Sequence, residues 1–220
     1  MFVTENTERL WREINRLLVR RTIEERVCYL NTNNGVNKVC KACGLYLNQL
    51  PVLDVANKSH IFWVGLSAVQ FDENIERIPL SPFTRSGALI NDIQKPISKN
   101  ISFYKTNIVK CLPLKDGKIR YPLEHEMEKC FPNFEYEINQ LTPSIVFLLG
   151  KQVAKFVLKK MGIDDFNLSD DFKYEVFEFG ETQFVPVHHP SFILVYKRKF
   201  INKYKESLQL LCEKSLCLEL

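Results

Sequence analysis

The run Ser144-Ile-Val-Phe-Leu-Leu149, closed at once by Gly150, constrains this chain more than any other stretch. An unbroken apolar run of this length, ended by glycine, is how a strand covered on both faces reads; a strand with one wet face would alternate. Lys151 to Met161 then places apolar side chains at helical spacing. The same succession of strand, turn and helix occurs twice upstream. His60-Ile-Phe-Trp-Val-Gly65 is followed by a polar loop from Leu66 to Pro82 and a helix start over Ser86–Ile93. Ile101–Val109 is followed by a Pro-, Asp- and Gly-rich turn and a helix from Leu123 to Gln140, whose acidic start suits the helix dipole and which Pro132 is expected to break or kink. A hairpin over Lys173–Phe179 and Thr182–Val187, a loop opened by His188-His-Pro-Ser191, and a basic amphipathic helix from about Lys199 to Cys217 complete the pattern. These elements predict a three-layer α/β/α fold: a mainly parallel central sheet of about four strands, with helices on both faces and right-handed crossovers. Ligands of such folds bind beyond the carboxyl ends of the strands, where Gly65, Asn107 and the His188-His189 pair fall.

At 220 residues and 45% apolar content the chain can build one large core. Residues 1–38 are expected to form a helical extension: Leu10, Ile14, Leu17, Leu18 and Ile23 recur at helical spacing between Glu5 and about Leu30, and Asn31–Gly35 is a loop. Residues 39–220 form the main domain. A net charge of +4 decides nothing about partners, although Lys197-Arg198-Lys199 leaves phosphate contact open. No cleavable leader and no membrane-length apolar run is present, so a cytoplasmic, soluble protein is expected. In that compartment the seven cysteines are not read as disulfide staples. Cys28, Cys212 and Cys217 read as ordinary helix residues. Cys40-Lys-Ala-Cys43, with Cys111 and Cys130, reads as a metal-ligand set. Four thiolates suit either tetrahedral zinc or a [4Fe-4S] cluster. The wide spacing of the second pair, unlike the tight second knuckle of a zinc ribbon, favours iron–sulfur.

Taken together, Cys40-Lys-Ala-Cys43, the strand ending at Gly65, Ser81-Pro-Phe83 before Ser86-Gly87, Thr106-Asn-Ile-Val-Lys-Cys111, Cys130, Pro143 to Gly150 and His189-Pro-Ser191 resemble, in order and spacing, the iron–sulfur (family 4) uracil-DNA glycosylases. The resemblance runs from Val39 to the C-terminal helix. It implies an enzyme that flips a nucleotide out of DNA and hydrolyses the N-glycosidic bond, leaving an abasic site, with Cys40, Cys43, Cys111 and Cys130 holding a [4Fe-4S] cluster.

It also implies roles for particular residues. Departure of the pyrimidine leaves negative charge on the base, and His189 is the expected donor to it. Asn107 would present an amide to the base edge, Phe83 would stack on the base, and Gly65 with the amide of Leu66 would let the backbone approach it. The chain departs from the family at Gly65-Leu66-Ser67-Ala68-Val69, where an acidic residue is expected directly after the glycine and a Pro-Gly two positions further. Asp72, with Glu73 behind it, is the replacement candidate for positioning water or steadying the sugar cation. Ser86 and Ser191 would bond phosphates. Phe192, Ile193 and Leu194 would form an apolar wedge, and Lys197 and Arg198 would meet the DNA backbone.

The expected partner is therefore DNA carrying an altered base, single- or double-stranded, and the expected state a monomer with no membrane association. Two alternatives stand beside excision of uracil. The altered glycine loop would suit a variant glycosylase for another modified base, and a non-catalytic iron–sulfur nucleic-acid-binding module would need the fold without the hydrolysis.

Overall fold

A computed structural model describes residues 40–55, 58–71, 77–99 and 101–216. The expected N-terminal helix, Asp72 and Glu73, and Cys28 and Cys217 lie outside the described residues. In chain order the elements are β1 (Ile61–Ser67), α1 (Arg85–Gln94), β2 (Phe103–Val109), the short strands β3 (Leu114–Lys115) and β4 (Lys118–Ile119), α2 (Glu124–Leu141), β5 (Ile145–Leu149), α3 (Lys151–Lys160), β6 (Phe177–Phe179), β7 (Thr182–Val187), α4 (Pro190–Tyr196) and α5 (Ile201–Leu216). The main sheet has five strands in the order β2-β1-β5-β7-β6. Four run parallel, and β6 pairs antiparallel with β7 as the first arm of the expected hairpin.

The apolar run of β5 puts this strand at the middle of the sheet, every residue buried. Alternate side chains feed two layers of core. Phe62, Val64, Val146 and Leu148 pack under α2 and α3 with Phe131, Phe134, Val153 and Val157. Ile61, Trp63, Ile145, Phe147 and Val185 pack under α1, α4 and α5 with Ile90, Ile93, Ile193, Tyr204 and Leu208. The Trp63 and Phe147 rings stack across neighbouring strands at 4.5 Å. Cys212 is wholly buried in the second layer, in keeping with its reading as a helix residue.

Three local expectations are corrected. Pro132 does not break the helix: it lies inside α2, which continues to Leu141. One backbone bond is forfeited there, a loss of about 3 kcal/mol, but Cys130, Phe131, Phe134 and Leu141 bury one face of the helix and packing holds it. Residues 190–196 are not loop: Pro190 stands in the first turn and His189 caps the helix, its side chain accepting from the Ser191 N–H. The last helix accordingly begins at Ile201, after a separate 3₁₀ turn over Arg198–Phe200. The turn after Cys111 carries the small β3–β4 ribbon. Among the described residues no helix is long and apolar enough to cross a membrane.

Candidate functional site

A cleft of about 900 Å³ opens at the carboxyl ends of β1, β2 and β5 and at the start of α4, lined by Gly65, Leu66, Asn107, Gly150, His189 and Ser191 among others. Chain segments more than a hundred residues apart in sequence thus meet where a doubly wound sheet offers a ligand site.

One wall is built on β2. Asn107 faces Gly65 in register and is buried. A Cβ at position 65 would stand 2.3 Å from Asn107 Oδ1, so only glycine lets the amide lie against β1. Behind this wall is a network not anticipated from the sequence. Lys110 is wholly buried, and its Nζ donates to Glu137 Oε2 at 2.7 Å, Thr106 Oγ1 at 2.6 Å and the main-chain oxygen of Asn107 at 2.8 Å. Glu137 also accepts from the hydroxyls of Thr106 and Tyr104. Burial, with the carboxylate beside it, pushes the Tyr104 phenol well above its ordinary range. The signal available in the sequence was a lysine inside the otherwise apolar run Ile108–Leu112.

The opposite wall is built on β7 and α4. His189 Nδ1 accepts from the Ser191 N–H at 3.1 Å and lies 2.7 Å from the Ser191 hydroxyl. With Nδ1 accepting, the ring proton sits on Nε2. Burial holds the imidazole below the usual histidine range, so the ring is neutral at pH 7. Gly150, at φ +92°, brings β5 into the turn beside it, and a Cβ there would lie 3.1 Å from His189 Cβ. The neighbouring His188 is a structural residue. It is buried, its Nδ1 lies 2.9 Å from the Tyr174 hydroxyl, its main-chain oxygen accepts from Tyr204, and its ring stacks on Phe192 at 5.3 Å.

Of the remaining expected residues, Leu66, Ser86 and Ser191 line the cleft with His189 and Asn107. Phe83 does not: its ring is 78% exposed, and Leu80 and Thr84 on either side take the lining positions. Lys197 pairs with Asp170 at 3.0 Å, and both it and Arg198 lie outside the lining. The wedge differs from expectation because the segment is helical. Ile193 turns into the core, while Phe192, Val195 and Tyr196 remain at the surface and line the cleft. The cleft is also lined by Ile119 at the end of β4 and by Arg120 and Tyr121 after it, which sequence reasoning passed over as a turn. Arg120 grips the Glu126 carboxylate, which also accepts the Leu123 N–H at the start of α2, and this pairing holds Glu126 below the usual carboxylate range. No carboxylate lines the cleft among the described residues.

None of the four candidate ligand cysteines is in a disulfide; Cys111 and Cys130 are buried, and Cys40 and Cys43 are half-buried. Cys43, Cys111 and Cys130 belong to one packed cluster. Cys130 Sγ accepts from the Lys110 N–H at 3.4 Å, and Asn133 Nδ2 lies 3.7 Å from it. Burial raises the Cys130 thiol above its ordinary range; Lys110 opposes this, and Cys43 and Cys40 add to it, so both ends of the motif act on one sulfur. Among the described residues no three His, Cys, Asp or Glu side chains form a group that could hold a metal ion. The donors therefore suit a thiolate-bound centre in kind and in being directed at one region, and are not drawn together as a closed set.

Comparison with known proteins agrees with the fold. The family model described as the uracil DNA glycosylase superfamily matches residues 45–212. A protein of Archaeoglobus fulgidus named type-4 uracil-DNA glycosylase is 25% identical over 178 residues, covering 77% of this chain and 85% of that protein. One of the same name from Sulfurisphaera tokodaii is 27% identical over 161 residues, covering 69% and 70%. A parallel sheet with an amide and an imidazole lining one cleft beyond its strand ends, and a family match spanning the whole of that sheet, lead to one assignment: this chain belongs to the uracil-DNA glycosylase superfamily.

Proposed function

We propose that the protein is a DNA glycosylase that excises uracil from DNA by hydrolysing the N-glycosidic bond. The observation that carries this reading is the pair Asn107 and His189 on opposite walls of one cleft, the imidazole neutral and protonated on Nε2. Bond cleavage moves an electron pair from the glycosidic bond onto the base and leaves an oxocarbenium-like sugar. A donor aimed at the base oxygen that gains the charge is worth about 10²–10³ in rate. His189 Nε2–H is that donor: with Nδ1 accepting from the Ser191 N–H, the neutral ring carries its one proton on Nε2. Asn107, with one amide donor and one acceptor, reads the edge of the base, and Gly65 leaves it room to do so. Phe192, Val195 and Tyr196 form the apolar surface that fills the stack behind a flipped nucleotide.

A [4Fe-4S] cluster on Cys40, Cys43, Cys111 and Cys130 belongs to this reading. When bound it would serve as a structural tie between the start of the domain, the end of β2 and the middle of α2. The packing of Cys43, Cys111 and Cys130 in one cluster supports it. Iron and sulfide analysis of anaerobically purified protein tests it, with zinc as the opposing result.

One observation favours a second reading. Leu66 occupies the place where a carboxylate would help water, and none of the described cleft residues replaces it. A glycosylase for another altered base, or one that leaves the water to Asp72, would fit that change. Release of free base from oligonucleotides carrying uracil, hypoxanthine, xanthine or an oxidised pyrimidine, by the wild type and by Asp72→Asn, separates these. Tight binding of uracil-containing strands without any abasic product would favour the non-catalytic module.

A further inference from the structure

The amide wall is held by a buried ion pair for which base excision has no direct use. Lys110 and Glu137 lie beneath the cleft, outside its lining, with side-chain exposures of 0% and 11%. An apolar pair of similar volume is commonly as stable as a buried ion pair or more so, so stability alone is a weak account of this one. Its geometry offers another. Among the described residues β2 is the edge strand of the sheet, with no partner strand on its outer side. At Asn107 that outer side is served by Lys110, whose Nζ donates to the Asn107 main-chain oxygen at 2.8 Å. Thr106, one residue earlier, accepts through its side-chain hydroxyl from the same ammonium and donates to Glu137, so this side chain and the Asn107 main-chain oxygen are both tied through Lys110 and Glu137 to α2. Asn107 is thus fixed from two directions: its backbone by Lys110, and its side chain by the space over Gly65.

We propose that Lys110, braced by Glu137, is a positioning residue for Asn107. It sets the pitch of the edge-strand residue and thereby the angle at which the amide meets the base, so that uracil is accepted and cytosine refused. The inference rests on the glycosylase reading.

The test uses full-length protein and four forms: wild type, Lys110→Met/Glu137→Gln, Asn107→Ala, and the triple variant. The paired change removes both charges together, so no carboxylate is stranded, and the glutamine carbonyl still accepts from Tyr104 and Thr106. A thermal melt checks that it folds. Single-turnover release is measured from oligonucleotides with uracil or cytosine at one position, alongside DNA affinity.

The paired variant should release uracil at least about tenfold more slowly with DNA affinity within about twofold, because misplacement of a reacting group by about 1 Å costs up to about a hundredfold. Its preference for uracil over cytosine should narrow. On the Asn107→Ala background the same pair should add no further loss, since the group it positions is gone. The Asn107 side-chain amide resonance, identified by its absence from Asn107→Ala, should shift in the paired variant without DNA present. An unmoved resonance, wild-type rates, or losses that multiply with that of Asn107→Ala would overturn the inference. A wild type that releases no uracil would overturn the glycosylase reading instead, and the resonance would still decide the role of Lys110.

Discussion

The two walls of the cleft are held by opposite means. The β2 wall presents Asn107 and is braced from behind by a buried ammonium, a carboxylate and two hydroxyls. The α4 wall presents His189 and is braced by a helix cap and by rings: the Ser191 N–H fixes Nδ1, and His188, Phe192, Tyr174 and Phe172 pack beneath it. Charge at the edge of a sheet can grip a backbone that has no neighbouring strand, at the cost of desolvation. Rings and caps hold a side chain with little charge, which suits an imidazole that has to stay neutral. The first wall should therefore fail abruptly when one partner is lost, and the second should yield by small steps.

The largest effect is expected on the charged wall. Lys110→Met alone leaves Glu137 buried without its cation, and urea unfolding should show a loss of about 3–5 kcal/mol; a loss below about 1 kcal/mol would mean that water reaches the carboxylate. Next is Gly65→Ala, whose methyl carbon would stand 2.3 Å from Asn107 Oδ1. Uracil release should fall by about a hundredfold through displacement of the amide, with a much smaller change in melting temperature, and an unchanged rate would show that Asn107 does not read the base.

On the ring-braced wall, Tyr174→Phe removes the hydroxyl at His188 Nδ1 and should cost about 1 kcal/mol in urea unfolding with excision nearly intact. The response to pH is smaller still and has a definite sign. Burial lowers the folded-state values of both His188 and His189, so the unfolded chain binds protons first as pH falls. Stability from these two groups is complete above the ordinary histidine value of about 6.5 and declines below it, towards their lowered folded values. Excision should be level through neutral pH and decline only on the acid side, where a proton on Nδ1 displaces the Ser191 N–H that orients the ring; a rate that rises on acidification would contradict a neutral donor.

Much of this was legible from residue order, and the rest was hidden for identifiable reasons. An unbroken apolar run has few alternatives to a central strand, so β5 and the layers on either side of it could be read directly. The placing of Asn107 and His189 at the cleft could be read because one lies near the end of β2 and the other just after β7, where a parallel sheet delivers its ligand groups. Lys110 could not, because a lysine beside a predicted strand end reads as solvated, and only the neighbouring edge carbonyl and Glu137, 27 residues away, explain its burial. The apolar stretch after His189 reads equally as wedge or helix. Helical spacing sends Ile193 inward and leaves Phe192, Val195 and Tyr196 outside, a division that composition does not reveal. Pro132 misleads for the converse reason: local propensity argues for a break that two buried phenylalanines, Phe131 and Phe134, override.

Single-turnover release of uracil from a uracil-containing oligonucleotide, by wild type and by His189→Ala at neutral pH, addresses the central claim most directly. A neutral imidazole that donates to the departing base predicts free uracil and an abasic strand from the wild type, and a rate lower by about 10²–10³ in the variant with its melting temperature little changed. Equal rates in the two proteins, or no uracil released by the wild type, would contradict it.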